Sequence, residues 1–179
     1  MLTEQELINI FSWRPYREDW TVDRNKIDDN INSHYGNLII GFTQNTSFDT
    51  YYSEDGGLGN YLEFICYPTG QNQYNGNAIL VCISLCSPFA TYGQITISKE
   101  HNSFGWGQMF SPDTAYEILD TTLKMIESKI KNILTDNRLC LLDNEFLSRQ
   151  LPSEIADNLK FENHNEGTQY LQGIFQKTD

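Results

Sequence analysis

The stretch that decides the fold is Ala78–Ser98, with the sequence AILVCISLCSPFATYGQITIS. Its first half, Ala78–Cys86, is almost continuously apolar, which is typical of a central strand that is buried on both faces. Ser87-Pro88 interrupts this run, and Thr91–Ser98 then alternates between apolar and polar residues. The stretch therefore predicts two strands of one sheet.

Weaker strand patterns lie on both sides of this stretch. Leu58–Tyr67 alternates and follows the turn signal Asp55-Gly56-Gly57, and the Gly- and Asn-rich segment Pro68–Asn77 predicts a hairpin loop. The remaining predicted strands are Asn37–Thr43, Ser47–Ser53, Leu139–Leu142 and Thr168–Gln176.

Helical patterns flank the predicted sheet. The longest covers 111–134, where Ser111 is an N-cap, Pro112 takes the first helical position, and apolar residues recur at helical spacing. Near the start of the chain, Thr3 and Glu6 have the spacing of a capping box before a helix over Glu4–Phe11. Shorter helices are predicted at Arg24–His34, Asn144–Leu151 and Ser153–Leu159.

Together these patterns predict an α+β fold with one domain over residues 1–179. A mostly antiparallel, twisted sheet of about five or six strands packs against the long helix 111–134 and shorter N- and C-terminal helices. The chain has 179 residues, of which 39% are hydrophobic, and this is enough to build a substantial core.

The charge of the chain narrows the classes of partner. Twelve Lys and Arg against 24 Asp and Glu give a net charge of −12, and no Lys or Arg occurs between Lys26 and Lys99. Nucleic acid and anionic membranes need a basic face, so neither is expected as a partner. A protein with a basic surface fits this charge, although an acidic surface that serves only solubility fits it as well.

Compartment and cysteine chemistry follow from local context. The N-terminal residues begin with acids, and the longest apolar run, Ala78–Leu85, is far shorter than the roughly 20 residues of a membrane span. We therefore expect a cytoplasmic protein.

Each of the four cysteines stands in an apolar context that is typical of a buried free thiol, so we expect neither disulfides nor a metal site; they are Cys66, Cys82, Cys86 and Cys140.

No cluster of residues has the spacing of a catalytic or cofactor-binding motif. His34, His101 and His164 form no metal-binding pair, and the nucleophile-elbow and phosphate-loop motifs do not occur. We expect a non-enzymatic protein that binds no cofactor. The alternative is a small ligand-binding or enzymatic domain with a pocket on the sheet face near Trp106 and Tyr92, in which Trp106 is either a stacking platform or a core plug.

An aromatic and Arg-rich segment follows the first helix. Trp13, Tyr16 and Trp20 alternate with Arg14 and Arg17. This composition is compatible with a binding patch, but more often such a segment wraps the edge of the core.

The succession of Ala78–Ser98 and the Ser111-Pro112 helix resembles the layout of bacterial polymorphic-toxin immunity proteins. These are small, acidic, cytoplasmic α+β proteins that neutralise a cognate toxin by stoichiometric binding. The resemblance implies a toxin with a basic surface as the partner. The partner-binding residues predicted with it are Asp49, Tyr51, Tyr52, Glu54 and Asp55, because tyrosines flanked by acids make good interface anchors. An exposed turn with ordinary surface acids is the competing interpretation.

Overall fold

A computed structural model describes residues 2–12, 14–18, 20, 27–52, 61–100, 103–153 and 169–175, and for residues 27–33 it describes the backbone alone. Six strands and five helices lie in these ranges. The strands are β1 Asp49–Tyr52, β2 Tyr61–Tyr67, β3 Tyr74–Ser84, β4 Phe89–Glu100, β5 Ser103–Trp106 and β6 Cys140–Leu141. The helices are α1 Glu4–Phe11, α2 Ile27–Thr43, α3 Lys124–Asp136, α4 Asn144–Leu147 and α5 Tyr170–Ile174.

The six strands form one mixed sheet. Five of them pair antiparallel in the order β1-β2-β3-β4-β5, and β6 pairs in parallel with the start of β4. In the centre, Phe64 of β2 lies opposite Val81 of β3, which lies opposite Tyr92 of β4. This confirms the predicted α+β fold with a mostly antiparallel sheet of five or six strands.

Each face of the sheet supports its own hydrophobic core. We call the first the helix face, since α2 and α3 cover it; its strand residues include Leu62, Phe64, Ile79, Val81, Ile83 and Tyr92. The second is the loop face, which is covered by α1, α4, α5 and connecting segments; its strand residues include Ile65, Tyr67, Leu80, Cys82, Ile95 and Ile97. Alternate residues of β3 therefore enter different cores, which explains its continuous apolar sequence.

Helix α2 replaces two predicted elements. The sequence favoured a helix over Arg24–His34 and a strand over Asn37–Thr43, whereas residues 27–43 form one helix of 17 residues. Tyr35, Leu38 and Phe42 follow helical spacing and are buried against the helix face. A short apolar run alone does not distinguish strand from helix, and Gly36 lies inside α2 rather than ending it.

The predicted long helix 111–134 is correct only in its second part. Pro112–Thr114 forms a single 3-10 turn, a second turn covers Thr121–Leu123, and α3 begins at Lys124. Between the turns, the Tyr116 backbone adopts a φ of 66°, and its N–H donates to the Tyr92 carbonyl oxygen at 2.9 Å. Because this bond to the sheet takes an amide that a helix needs, the helical pattern of 111–123 is interrupted.

The C-terminal part also differs from the prediction. The stretch predicted as a strand over 168–176 contains α5, which follows a single antiparallel bridge between Gln150 and Gln169. The helix predicted at 144–151 ends at Leu147. Most of the predicted helix over 153–159 lies outside the described residues.

Three of the four predicted core cysteines are buried. Cys66, Cys82 and Cys86 lie in the two cores, and burial raises the pKa of the Cys66 thiol. Cys140 is exposed, so that prediction is wrong for this residue. It lies in the two-residue strand β6, where both residues keep exposed side chains although their backbone pairs with β4.

Candidate functional site

Three of the predicted partner-binding residues lie on β1, at one edge of the sheet. Asp49, Tyr51 and Tyr52 belong to this strand, which pairs with β2. Glu54 and Asp55 lie outside the described residues. The structure therefore describes three of the five predicted residues. Two of these three, Tyr51 and Tyr52, lie on opposite faces of the sheet.

Tyr51 and Tyr52 point to opposite faces of the sheet, because side chains alternate along a strand. Tyr52 stacks on Phe64 with ring centroids 4.9 Å apart and is half-buried on the helix face. Tyr51 lies opposite Ile65 on the loop face and keeps 37% of its surface exposed. Only Tyr51 therefore has the exposure expected of a residue that anchors a partner.

Tyr51 belongs to a group of aromatic rings that spans the loop face, and we call this group the aromatic cluster; its members are Tyr51, Tyr67, Tyr74 and Phe104. The ring of Tyr51 stacks on Phe104 with centroids 4.1 Å apart and an interplanar angle of 3°. Phe104 lies 6.0 Å from Tyr67, which lies 5.7 Å from Tyr74. Since β1 and β5 are opposite ends of the five-strand order, this stacking requires a strongly curved sheet.

Polar groups surround the aromatic cluster. Asp49 accepts a hydrogen bond from the Thr69 hydroxyl at 3.0 Å, and it lies opposite Tyr67 in the sheet. The Lys99 ammonium lies 5.0 Å from the centre of the Tyr67 ring and donates to the Gln71 carbonyl oxygen at 3.1 Å. Lys99 is thus engaged by the cluster itself, whereas the Asp49 carboxylate keeps acceptor capacity.

The alternative pocket near Trp106 and Tyr92 is not formed by these two residues together. Trp106 pairs with Ile97 and is half-buried on the loop face. Tyr92 is fully buried on the helix face, where its hydroxyl donates to Glu127 at 2.9 Å. The two rings therefore lie on opposite sides of β4 and do not line one cavity.

Glu127 is the most deeply buried carboxylate of the described residues. It is 6% exposed, and it pairs with Lys124 at 3.1 Å and with Lys131 at 2.9 Å. Burial favours the neutral acid, but the hydrogen bonds from Lys131, Lys124 and Tyr92 outweigh it and hold the pKa of Glu127 below its usual value. Every contact is therefore suited to a charged carboxylate that locks α3 onto the sheet.

Two clefts flank Pro88, between β3 and β4. The first, of about 350 Å³, is lined by Tyr16, Arg17, Phe89, Leu141 and Phe146, among others. The second, of about 290 Å³, is lined by Trp20, His34, Tyr35, Leu38, Pro88, Asn137, Arg138 and Leu139.

The segment that carries Tyr16 and Trp20 wraps the edge of the core, as one interpretation of its sequence predicted. The Tyr16 N–H donates to the Cys86 carbonyl oxygen at 2.8 Å, and the Trp20 indole N–H donates to the Leu85 carbonyl oxygen at 2.9 Å. The same contacts make the segment a wall of both clefts.

Within the described ranges, no three His, Cys, Asp or Glu side chains come together as a potential metal site. His101 and His164 are not among the described residues.

Sequence reasoning missed most of the aromatic cluster. It singled out Trp106 but not Phe104, which strand β5 places beside Tyr51. The alternation of Phe104 and Trp106 with small residues was the available signal. The curvature that joins β1 to β5 has no signature in the local sequence.

Comparisons with known proteins add no relative. The chain matches no known protein family, no curated protein and no solved structure at a significant level. In the part of the chain that the structure describes, no helix has the length and apolar character required to cross a membrane.

Proposed function

We propose that this chain is a non-enzymatic binding protein that neutralises a cognate toxin as an immunity protein, and that the aromatic cluster and Asp49 form its docking site. The observation that supports the site is that Tyr51 is both exposed and fixed in one orientation. Its ring is 37% exposed and at the same time held flat on Phe104. An exposed aromatic ring that is already fixed in one orientation has the properties of an interface anchor.

The fixed ring favours binding for an entropic reason. A flexible side chain costs roughly 0.5–1.5 kcal/mol when an interface immobilises it. Stacking on Phe104 limits the rotamers of Tyr51 before a partner arrives, so a smaller cost remains at association. The tyrosine ring then supplies apolar area, and its hydroxyl supplies a hydrogen bond.

The charge distribution supports a basic partner. The net charge of the chain is −12, and Asp49 lies beside the cluster in a stretch without Lys or Arg from residue 27 to residue 98. A basic surface, such as that of a toxin that handles nucleic acid or phosphate, would be attracted to this edge and would associate faster at low salt.

The position of β1 supplies a second means of contact. In the described ranges β1 pairs on one side only, with β2. Unpaired N–H and C=O groups along an edge strand can accept an extended segment of a partner, and the side chains beside them then select which segment binds.

The proposal is tested by isolating the partner and substituting the anchor. The product of the neighbouring gene and proteins of the native host are passed over the immobilised chain, and a tight one-to-one complex with a basic protein is expected. Tyr51→Ala should weaken this complex at least about tenfold, as expected for a hot-spot residue. Titration calorimetry measures the change.

Tyr52→Ala is the matched control, since it removes the neighbouring ring from the opposite face. It should leave the affinity for the basic partner within about twofold, even if it lowers the free energy of unfolding. Equal losses of affinity in the two variants would exclude the aromatic cluster as the docking site. Turnover of a small substrate by the purified chain would contradict the non-enzymatic function itself.

A further inference from the structure

The second cleft beside Pro88 has a composition that neither the aromatic cluster nor the proposed partner explains. Three ring-bearing residues, Trp20, His34 and Tyr35, line it together with Arg138. Leu38, Pro88 and Leu139 add apolar surface, and Asn137 adds an amide. A largely apolar cavity with a few polar groups that converge on it is the usual form of a small-molecule site.

The rings of this cleft are held in place by the core. His34 lies edge-on between Trp20 and Tyr35, with ring centroids 4.9 and 4.8 Å away. The Trp20 indole donates to the Leu85 carbonyl oxygen, and the Tyr35 hydroxyl donates to the Ser84 carbonyl oxygen, both at 2.9 Å. The cleft is therefore preorganised, since these two hydrogen bonds fix Trp20 and Tyr35 to the end of β3 and to the residue that follows it.

Arg138 occupies a backbone position that normally takes glycine. Its φ is 58°, just after the end of α3, and its N–H donates to the Thr135 carbonyl oxygen at 2.9 Å. A left-handed residue at this place in a helix end is usually Gly, sometimes Asn. Asn137 stands one residue too early to serve, so the arginine itself adopts a backbone conformation that disfavours its side chain.

Attraction between the Arg138 guanidinium and the C-terminus of α3 offsets part of this strain. It does not explain why the side chain lines an aromatic cleft. A cation near the last turn of a helix is stabilised by the partial negative charge of the helix C-terminus. Arg138 is exposed, lines the cleft and forms no ion pair with any residue that the structure describes. Arg138 is therefore a cation beside an aromatic cavity that no carboxylate of the described residues neutralises.

We propose that this cleft binds a small organic anion with a flat apolar body, of the class of aromatic carboxylates. The guanidinium of Arg138 donates two hydrogen bonds to the carboxylate. The Asn137 side-chain amide donates to the Ile133 carbonyl oxygen at 2.8 Å, and its second N–H can donate to the ligand. The ring of the ligand lies against Trp20, His34 and Leu139, which line the cleft and keep accessible surface. The volume of about 290 Å³ is at the lower limit of common ligand sites, so one or two fused rings fit.

The test uses the full chain and 2-naphthoate as the probe. Heteronuclear NMR titration should give saturable one-to-one binding, with shifts that include the indole N–H of Trp20. The neutral analogue 2-naphthamide should bind at least about tenfold more weakly, since it lacks the charge that the guanidinium recognises. No saturable binding of 2-naphthoate up to several millimolar would overturn the proposal.

Arg138→Gly separates binding from folding. Glycine relieves the left-handed backbone, so the thermal midpoint should stay the same or rise, while affinity for 2-naphthoate should fall at least about tenfold. Arg149→Gln is the matched control, because it removes one exposed arginine outside the cleft and should change affinity less than twofold. Unchanged affinity in Arg138→Gly, or equal losses in both variants, would also overturn the proposal. None of these outcomes depends on the toxin-binding function.

Discussion

The two faces of the sheet are covered in different ways, and the difference determines where exposed rings and clefts occur. The helix face lies under α2 and α3, which have 17 and 13 residues. The loop face lies under α1, α4 and α5, which have 8, 4 and 5 residues, and under connecting segments. The aromatic cluster and the first cleft lie on the loop face. The second cleft lies at the edge of the helix face, between α2 and the residues that follow α3.

This comparison has a physical cause. A long amphipathic helix covers a continuous stripe of sheet, so few rings beneath it remain accessible. Short helices and loops cover a face in separate patches and leave gaps between them. Exposed but fixed rings such as Tyr51 therefore arise where coverage is interrupted, and buried charge networks such as that of Glu127 arise where it is continuous.

The largest expected effect is the loss of an anchor on the helix face. Phe42 of α2 is fully buried and stacks on Phe64 with ring centroids 4.4 Å apart. Phe42→Ala should lower the free energy of unfolding by about 3–5 kcal/mol, because it removes buried area and leaves a cavity. Urea unfolding followed by circular dichroism measures the change.

Phe146→Ala is the corresponding change on the loop face. Phe146 of α4 is only half-buried, borders the first cleft and meets Tyr170 edge-on at 5.2 Å. Its loss should cost about 1–2 kcal/mol, since the gap already reaches solvent. Equal costs for the two phenylalanines would refute the claim that long helices and short elements cover the sheet differently.

Local sequence predicted those elements whose pattern is not altered by tertiary contacts. Helix α1 matches the prediction at both ends, and strands β2, β3 and β4 lie within a few residues of the predicted ranges. In each case, capping spacing or an apolar run next to turn residues favours the same structure that packing requires. The strand predicted at 37–43 failed because its apolar run serves helix α2 equally well.

The candidate site was less accessible to such reasoning. Tyr51 could be singled out from its neighbours in sequence, but Phe104 stacks on it across the curved sheet from 53 residues further along the chain (104 − 51). The cleft at Arg138 depends on a φ of 58° that arginine rarely adopts, so propensity argues against it. Both sites are products of tertiary contacts, which local patterns do not encode.

An intermediate loss of stability is expected when the buried carboxylate of Glu127 on the helix face is changed. Glu127→Gln removes the charge that Lys124 and Lys131 neutralise but keeps an acceptor for Tyr92. The loss at neutral pH should be about 1–2 kcal/mol, less than for a fully buried pair because both lysines are half exposed. Urea midpoints at several pH values measure it.

The pH dependence of this loss has a definite sign. The folded-state pKa of Glu127 lies below its unfolded value, so its stabilisation is fully present above the unfolded pKa of about 4.3 and is lost as pH falls through the folded pKa. The difference between wild type and Glu127→Gln should therefore shrink below about pH 4. A difference that stays constant from pH 7 to pH 3 would show that the carboxylate is not held charged by this network.

A smaller effect is expected at the start of helix α1 on the loop face. The Thr3 hydroxyl accepts from the Glu6 N–H at 3.2 Å, and the Glu6 carboxylate accepts from the Thr3 N–H at 2.7 Å. This bond and the Arg17 side chain lower the pKa of Glu6 to about 2. Thr3→Ala deletes one half of the box and should cost about 1 kcal/mol in urea unfolding.

Thr43→Ala provides the matched change at the end of the longer helix α2. The Thr43 hydroxyl only donates back to the Ile39 carbonyl oxygen at 2.8 Å, a bond within the helix that satisfies no free amide. Its removal should change the free energy of unfolding by less than about 0.5 kcal/mol. If Thr43→Ala lowers the free energy of unfolding as much as Thr3→Ala does, the capping box of α1 contributes no more stability than a bond within the last turn of α2. Packing against the sheet must then stabilise both helix ends.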